Sequence, residues 1–171
     1  MYKELLIGCG RFTDKRLKDD AHPEWENLTT LDNNPDVNPD IIHDLKQFPL
    51  PFDDDTFDEL HAYEVLEHLY PQGDYVSFFE EFTEYHRILK PGGRMFITVP
   101  AVNSVWAFGD PSHTRVMPFE NFVFLHQKFY EDNIKDKTQV SDFRYIWKKD
   151  FVPVHVDQNE TNLHLVLKAL P

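Results

Sequence analysis

The residues best suited to chemistry begin near the start of the chain. Glu4–Arg11 reads ELLIGCGR, an apolar run that breaks directly into a Gly-x-Gly turn. Glycine at positions 8 and 10 permits that tight turn and lets backbone N–H groups come close to a bound nucleotide. Asp32 stands twenty-two positions after Gly10, at the end of a second strand-like run, Asn27–Leu31. An acid at the tip of the next parallel strand, about twenty residues after the glycines, can accept from both vicinal hydroxyls of a ribose. An ordinary glycine turn and an Asx turn in DNNPD would also account for these residues, and both readings can hold together. A second group suits proton transfer: His68 in VLEHLY, and Asp110, His113 and Arg115 in GDPSHTR. A His or carboxylate within hydrogen-bond reach of an acceptor can take its proton. Asp110 and His113 equally suit a turn closed by local hydrogen bonds. Trp106, in the same irregular segment, is a candidate pocket wall, whereas Phe122 reads as core and His61 as a core or solvated strand residue. Nine histidines invite a metal, but no His-x-x-x-His or Cys-His grouping appears, so no metal is expected.

These groups need strands to carry them to one edge. Glu4 onward is short and continuously apolar, as a buried parallel strand should be. Ile41–Asp44 (IIHD) reads as a third strand and Phe57–Ala62 as a fourth, with Tyr63 and Glu64 at its carboxyl end and Val65–Tyr70 turning away. The link after Gly10 is polar and stopped by Pro23, and Pro35 and Pro39 interrupt the next one. The helical layer over this half is therefore expected to be reduced. From Asp74 to Leu89 the spacing of Phe78, Phe82, Tyr85 and Leu89 is helical and ends at Lys90-Pro91-Gly92-Gly93. A strand over Arg94–Val99 follows, which completes a right-handed βαβ unit. Ala101–Pro118 has no period and reads as a lid. Phe119–Tyr130 is expected to be one helix, and Phe143–Val152 and Leu163–Ala169 an antiparallel pair of strands.

The 171 residues suit a single domain with a real core, being 41% hydrophobic and 15% aromatic. A net charge of −13 argues against sequence-independent nucleic-acid binding, which needs clustered Lys and Arg. One cysteine, Cys9, allows no internal disulfide. No run is long enough for a membrane span and no secretory pattern opens the chain, so a cytoplasmic protein is expected. Thin crossovers between Gly10 and Asp44 raise the hypothesis of a homodimer, a second copy burying uncovered sheet.

Taken together, ELLIGCG, TTLDNNP, HDLKQFPLPFDDDTFDELHAYEVLEHL and EYHRILKPGGRMFITVP resemble class I S-adenosylmethionine-dependent methyltransferases, nearest to the small-molecule, VLEHL-type members. The resemblance implies a Rossmann-like α/β fold: a mostly parallel seven-stranded sheet with a C-terminal antiparallel strand. It implies a site for S-adenosylmethionine formed by Gly8, Cys9, Gly10, Arg11, Asp32, Asn33, Asp44, Leu45, Tyr63, Glu64 and His68. Within it Gly8, Cys9 and Gly10 would line the methionine part, with Arg11 pairing its carboxylate. Asp32 would hold the ribose, Asp44 and Leu45 would flank the adenine, and Tyr63, Glu64 and His68 would sit by the sulfonium. The methyl acceptor is expected to be a small molecule met by Trp106, Asp110, His113 and Arg115. Two features depart from the family pattern. Phe12 stands where a third glycine is usual, and no helix precedes the first strand. The alternatives are a binder of the same cofactor without turnover, as a regulator or assembly partner, and a dinucleotide oxidoreductase, which would want that third glycine opening a well-formed helix.

Overall fold

The computed structural model describes residues 1–135 and 139–171. Its strands are β1 (Glu4–Ile7), β2 (Leu28–Asp32), β3 (Ile41–Ile42), β4 (Phe57–Tyr63), β5 (Leu89–Pro100), β6 (Phe151–Gln158) and β7 (Asn162–Ala169). They form one sheet in the order β3-β2-β1-β4-β5-β7-β6. The first five strands are parallel, β7 runs antiparallel to β5, and β6 antiparallel to β7. This is the mostly parallel α/β sheet with an antiparallel closing pair that the sequence implies. The strand order reverses between β1 and β4, which makes that crevice the topological switch point. Register sharpens the edge: Ile7 pairs with Leu31 on one side and Ala62 on the other. Residues that follow β1, β2 and β4 therefore leave the sheet side by side.

One face is thickly covered. Helix α1 (Tyr75–Ile88) starts where the Asp74 side chain accepts from the Ser77 N–H, and it buries Phe79, Phe82, Tyr85 and Ile88 against the sheet. Beyond the short α2 (Trp106–Gly109), the expected single helix over Phe119–Tyr130 is instead two, α3 (Phe119–Val123) and α4 (Gln127–Asn133). The break arises because Leu125 turns its carbonyl to the Trp147 indole and the Phe151 amide, at 3.0 and 2.9 Å. Asp150 then caps the restart, its Oδ1 accepting from Gln127 N–H and bonded to His126 Nδ1. The expected strand over Phe143–Val152 is likewise corrected. Phe143–Trp147 is a turn, with the Ile146 and Trp147 amides both donating to the Phe143 carbonyl. The turn places Phe143 and Trp147 against Phe79. The strand begins only at Phe151 and takes in residues 153–158, whose polarity resembles a loop because Val154 to Gln158 stand exposed at the sheet's edge.

The opposite face has no helix between β1 and β2. Residues 11–27 cross it as irregular chain and are held by a buried polar network. Lys15 Nζ lies 2.6 Å from both Glu4 Oε1 and Glu59 Oε2, all three side chains fully buried. Glu59 reaches His61 Nε2 at 2.9 Å, and His61 Nδ1 meets the Tyr63 hydroxyl at 2.6 Å. Tyr63 in turn accepts from the Leu17 N–H, and Glu4 Oε2 from the amides of Glu26 and Asn27. His61, left open as a core or solvated residue, is thus a buried, fully bonded core histidine. Leu17 and Trp25 pack over Leu6, Cys9, Phe96 and Val166 on this side. The chain itself covers much of the area that motivated a second copy.

Two carboxylates around one ammonium leave each charge dependent on the others. Burial acts to raise the Glu59 carboxyl, but hydrogen bonds from His61 and Lys15 win and hold it at about 2 against an ordinary 4.5. A depressed carboxyl stabilises the fold above its unfolded value and loses that contribution as pH falls through the folded one. We expect stability to be lost as pH falls from 4.5 towards 2 on this account. Urea melts across that range should give a shallower pH slope for Glu59→Gln than for the parent chain. Lys15→Met should cost about 3–5 kcal/mol at pH 7, because it strands two buried carboxylates.

Candidate functional site

At the carboxyl edge, over the switch point, lies a cavity of about 320 Å3. From β1 it receives Gly8, from β2 Asp32 and Asn33, from the segment after β3 His43, Asp44, Leu45 and Lys46, and from the turn after β4 Glu64, Val65, His68 and Leu69. Two of these positions bend the chain out of the sheet with left-handed backbone, Gly8 at φ 58° and Glu64 at φ 55°. A non-glycine residue in that region is costly and marks sites where the surrounding structure enforces it. Here the Glu64 amide donates to the Thr98 carbonyl, and its Oε1 accepts from Asn162 Nδ2 at 2.7 Å. Asp32 is equally fixed: Oδ2 accepts from the Gly10 N–H at 2.9 Å and Oδ1 from the Asn34 N–H at 2.8 Å. Each oxygen keeps a further lone-pair site. Asp44 Oδ1 accepts from the Lys46 N–H, and Leu45 is buried beside it.

Several residues implied by the family resemblance point elsewhere. Cys9 turns away from the cavity into the small cluster on the thinly covered face, where burial pushes its thiol up. Tyr63 lies on that face too, because Glu59, His61 and Tyr63 are alternate residues of one strand. Gly10 acts through its amide on Asp32 rather than as a wall, and Arg11 is exposed and outside the cavity. Trp106 is exposed at 59%, on the outside of α2. Arg115 does not line this cavity. Its guanidinium is buried, donating to Glu81 at 2.8 Å and to the Leu66 carbonyl at 2.8 Å, which pins the segment after α2 to α1 and to the turn after β4.

His113 and His68 do meet, with ring centroids 4.6 Å apart. Close to both is Glu67, which sequence reasoning passed over. It is 2% exposed, neither carboxylate oxygen has a hydrogen-bond partner, and burial pushes it up to about 8. His113 Nε2 is 3.9 Å from Glu67 Oε1 and 4.0 Å from Asp110 Oδ2. Asp110 caps its own loop, accepting from the Ser112 amide and hydroxyl, which holds its carboxyl below the usual range. His43, Lys46, Val65 and Leu69 were also missed. A signal was available for Val65 and Leu69, since they flank residues already singled out in VLEHL.

Residues 7–97 match the family model described as a methyltransferase domain. With the sheet order and the edge cavity above, the chain belongs to that family, as a class I S-adenosylmethionine-dependent methyltransferase domain. S-adenosylmethionine is the cofactor typical of that family. Among solved structures it is similar to an S-adenosylmethionine-dependent methyltransferase from Archaeoglobus fulgidus, with TM-score 0.63 and 16% identity over 98% of this chain and 86% of that one. It is also similar to the N-methyltransferase NodS from Bradyrhizobium japonicum WM9, with TM-score 0.58 and 17% identity over 99% and 86% of the two chains. The complex of NodS with S-adenosyl-L-homocysteine gives 0.57 and 18%, over 98% and 78%. At these identities the likeness is one of fold. No curated protein matches the chain in a sequence search. No helix among the described residues is long and apolar enough to cross a membrane.

The two turn glycines should respond differently to a methyl group. A Cβ at Gly8 would sit 2.2 Å from Val65 Cγ2, whereas one at Gly10 meets nothing within 4 Å. Both carry the cost of positive φ, about 1–2 kcal/mol, and only Gly8→Ala adds an overpacking penalty of about 1–3 kcal/mol. Urea denaturation should therefore rank Gly8→Ala clearly below Gly10→Ala in stability.

Proposed function

We propose that S-adenosylmethionine occupies the edge cavity and that the chain transfers its methyl group to a small-molecule acceptor arriving on the His113 side. One observation carries this reading: the Asp32 carboxylate is held at the cavity wall by the Gly10 amide, with oxygen lone pairs left for a ribose. The cavity fits the cofactor chemically. Its volume is within the range of ligand sites, and three carboxylates, Asp32, Asp44 and Glu64, stand around it to receive hydroxyls, an amine and a positive sulfonium. When bound, the cofactor supplies a methyl carbon already activated by sulfonium, so the protein's task is mainly alignment and exclusion of water.

The chain's residues divide that task by position. Gly8 leaves backbone room for the methionine part, Asp32 and Asn33 face the ribose, and Asp44 with Leu45 receives the adenine. Glu64 and His68, where β4 turns out of the sheet, face the sulfonium. His113 and Asp110 border the acceptor's path. The acidic chain and the modest cavity favour a small acceptor over a polyanion.

Calorimetric titration with S-adenosylmethionine tests the cofactor site. Asp32→Asn keeps the shape but weakens acceptance, and we expect affinity to fall about tenfold or more, as for loss of a hydrogen bond to a charged group. Unchanged affinity in this variant contradicts the placement. Release of S-adenosylhomocysteine over a panel of small alcohols and amines tests the acceptor class, and turnover confined to nucleic acid overturns it.

A further inference from the structure

We propose that Glu67, His68 and His113 hold a divalent transition-metal ion of the zinc, manganese(II) or iron(II) class beside the edge cavity. One donor atom from each residue lies within 4.8 Å of the others. Donors sharing such an ion at about 2.0–2.2 Å stand roughly 3–3.5 Å apart, so side-chain movements of about 1 Å close the set. The proposal rests independently on hydrogen bonding. Glu67 is almost wholly buried with both oxygens unpartnered, and the His113 nitrogen nearest it, Nε2, stands 3.9 Å from Oε1. An isolated carboxylate in such a place is strongly disfavoured unless a cation or proton meets it.

The surroundings hold these donors in place. Glu67 and His68 share the 3-10 turn Leu66–His68, and His113 lies on the segment that crosses it. The two are joined where Thr114 N–H donates to the Glu67 carbonyl, Thr114 Oγ1 to the Leu69 carbonyl, and Arg115 Nε to the Leu66 carbonyl. His68 Nδ1 faces the Ser112 carbonyl and hydroxyl at 3.3 and 3.1 Å, and that hydroxyl donates to Asp110. Such a bond from one ring nitrogen fixes the tautomer and leaves Nε2 for a metal. Two imidazoles and one carboxylate suit borderline divalent ions and leave coordination positions open. His68 also lines the edge cavity, so an ion held there would border it. An acceptor hydroxyl bound there would release its proton to water more readily than in solution. The spacing rule that excluded a metal missed this set because His113 lies forty-five residues beyond His68.

The test uses the full chain, stripped with chelator and titrated calorimetrically with Zn2+, Mn2+ and Co2+ in the absence of S-adenosylmethionine. Omitting the cofactor keeps failure here distinct from failure of the cofactor site. The expected result is one equivalent bound, with visible absorption bands for Co2+ and affinity lowered at least tenfold in His113→Ala and Glu67→Gln. His155→Ala, whose ring is exposed on β6, should bind as the parent does. Circular dichroism checks each variant's fold, and if one fails, His68→Asn replaces it. No binding of any of the three ions below millimolar concentration overturns the proposal. So does binding that the site variants leave unchanged, since that locates the ion elsewhere.

Discussion

The contact on which the site depends is the bond from the Gly10 amide to the Asp32 carboxylate. It joins the turn after β1 to the tip of β2, two points twenty-two residues apart, and it works because parallel pairing has already levelled the strand ends. Without the pairing of Ile7 to Leu31, Asp32 would lie out of reach of the turn. With it, one carboxylate both closes the turn and lines the edge cavity. The left-handed residues Gly8 and Glu64 extend the same device to β4, carrying backbone out of the sheet on either side of the switch point.

The two faces of the sheet meet the remaining demands by different means. On the α1 side, aromatic packing through Phe79, Phe82, Trp147 and Phe151 supplies a core of ordinary hydrophobic character. On the other side, a helix is replaced by irregular chain pinned to buried charges. Lys15, Glu4 and Glu59 anchor residues 11–27, which include the stretch directly after Gly10. The turn is thus braced from behind by electrostatics and in front by Asp32. Across the switch point, Arg115 performs the corresponding task, fastening the segment that carries His113 to α1 and to the turn after β4.

Much of this was legible wherever local pattern and tertiary position agree. Apolar runs ending in Gly8, Asp32 and Glu64 marked three strand tips, and the sheet follows from them. Side-chain direction was less accessible at the strand ends. Tyr63 and Cys9 have the right positions in sequence but face the other side of the sheet. Alternation of Glu59, His61 and Tyr63 along β4 was the available signal for Tyr63. Arg115 resembles a ligand-binding arginine until its buried partner, Glu81, is known. Glu67 was invisible for a related reason: only the fold reveals that it is buried without a partner. The misplaced start of β6 comes from aromatic residues that pack at a turn, and from an edge strand whose exposed half has the polarity of a loop.

The account stands most directly on where the nucleoside binds, and a crystal structure with S-adenosylhomocysteine answers that. The expected result is ribose density against Asp32, adenine beside Asp44 and Leu45, and the homocysteine sulfur toward Glu64 and His68. Density for the ligand anywhere else, such as the separate cavity between Gly73, Phe78 and Phe143, would contradict it.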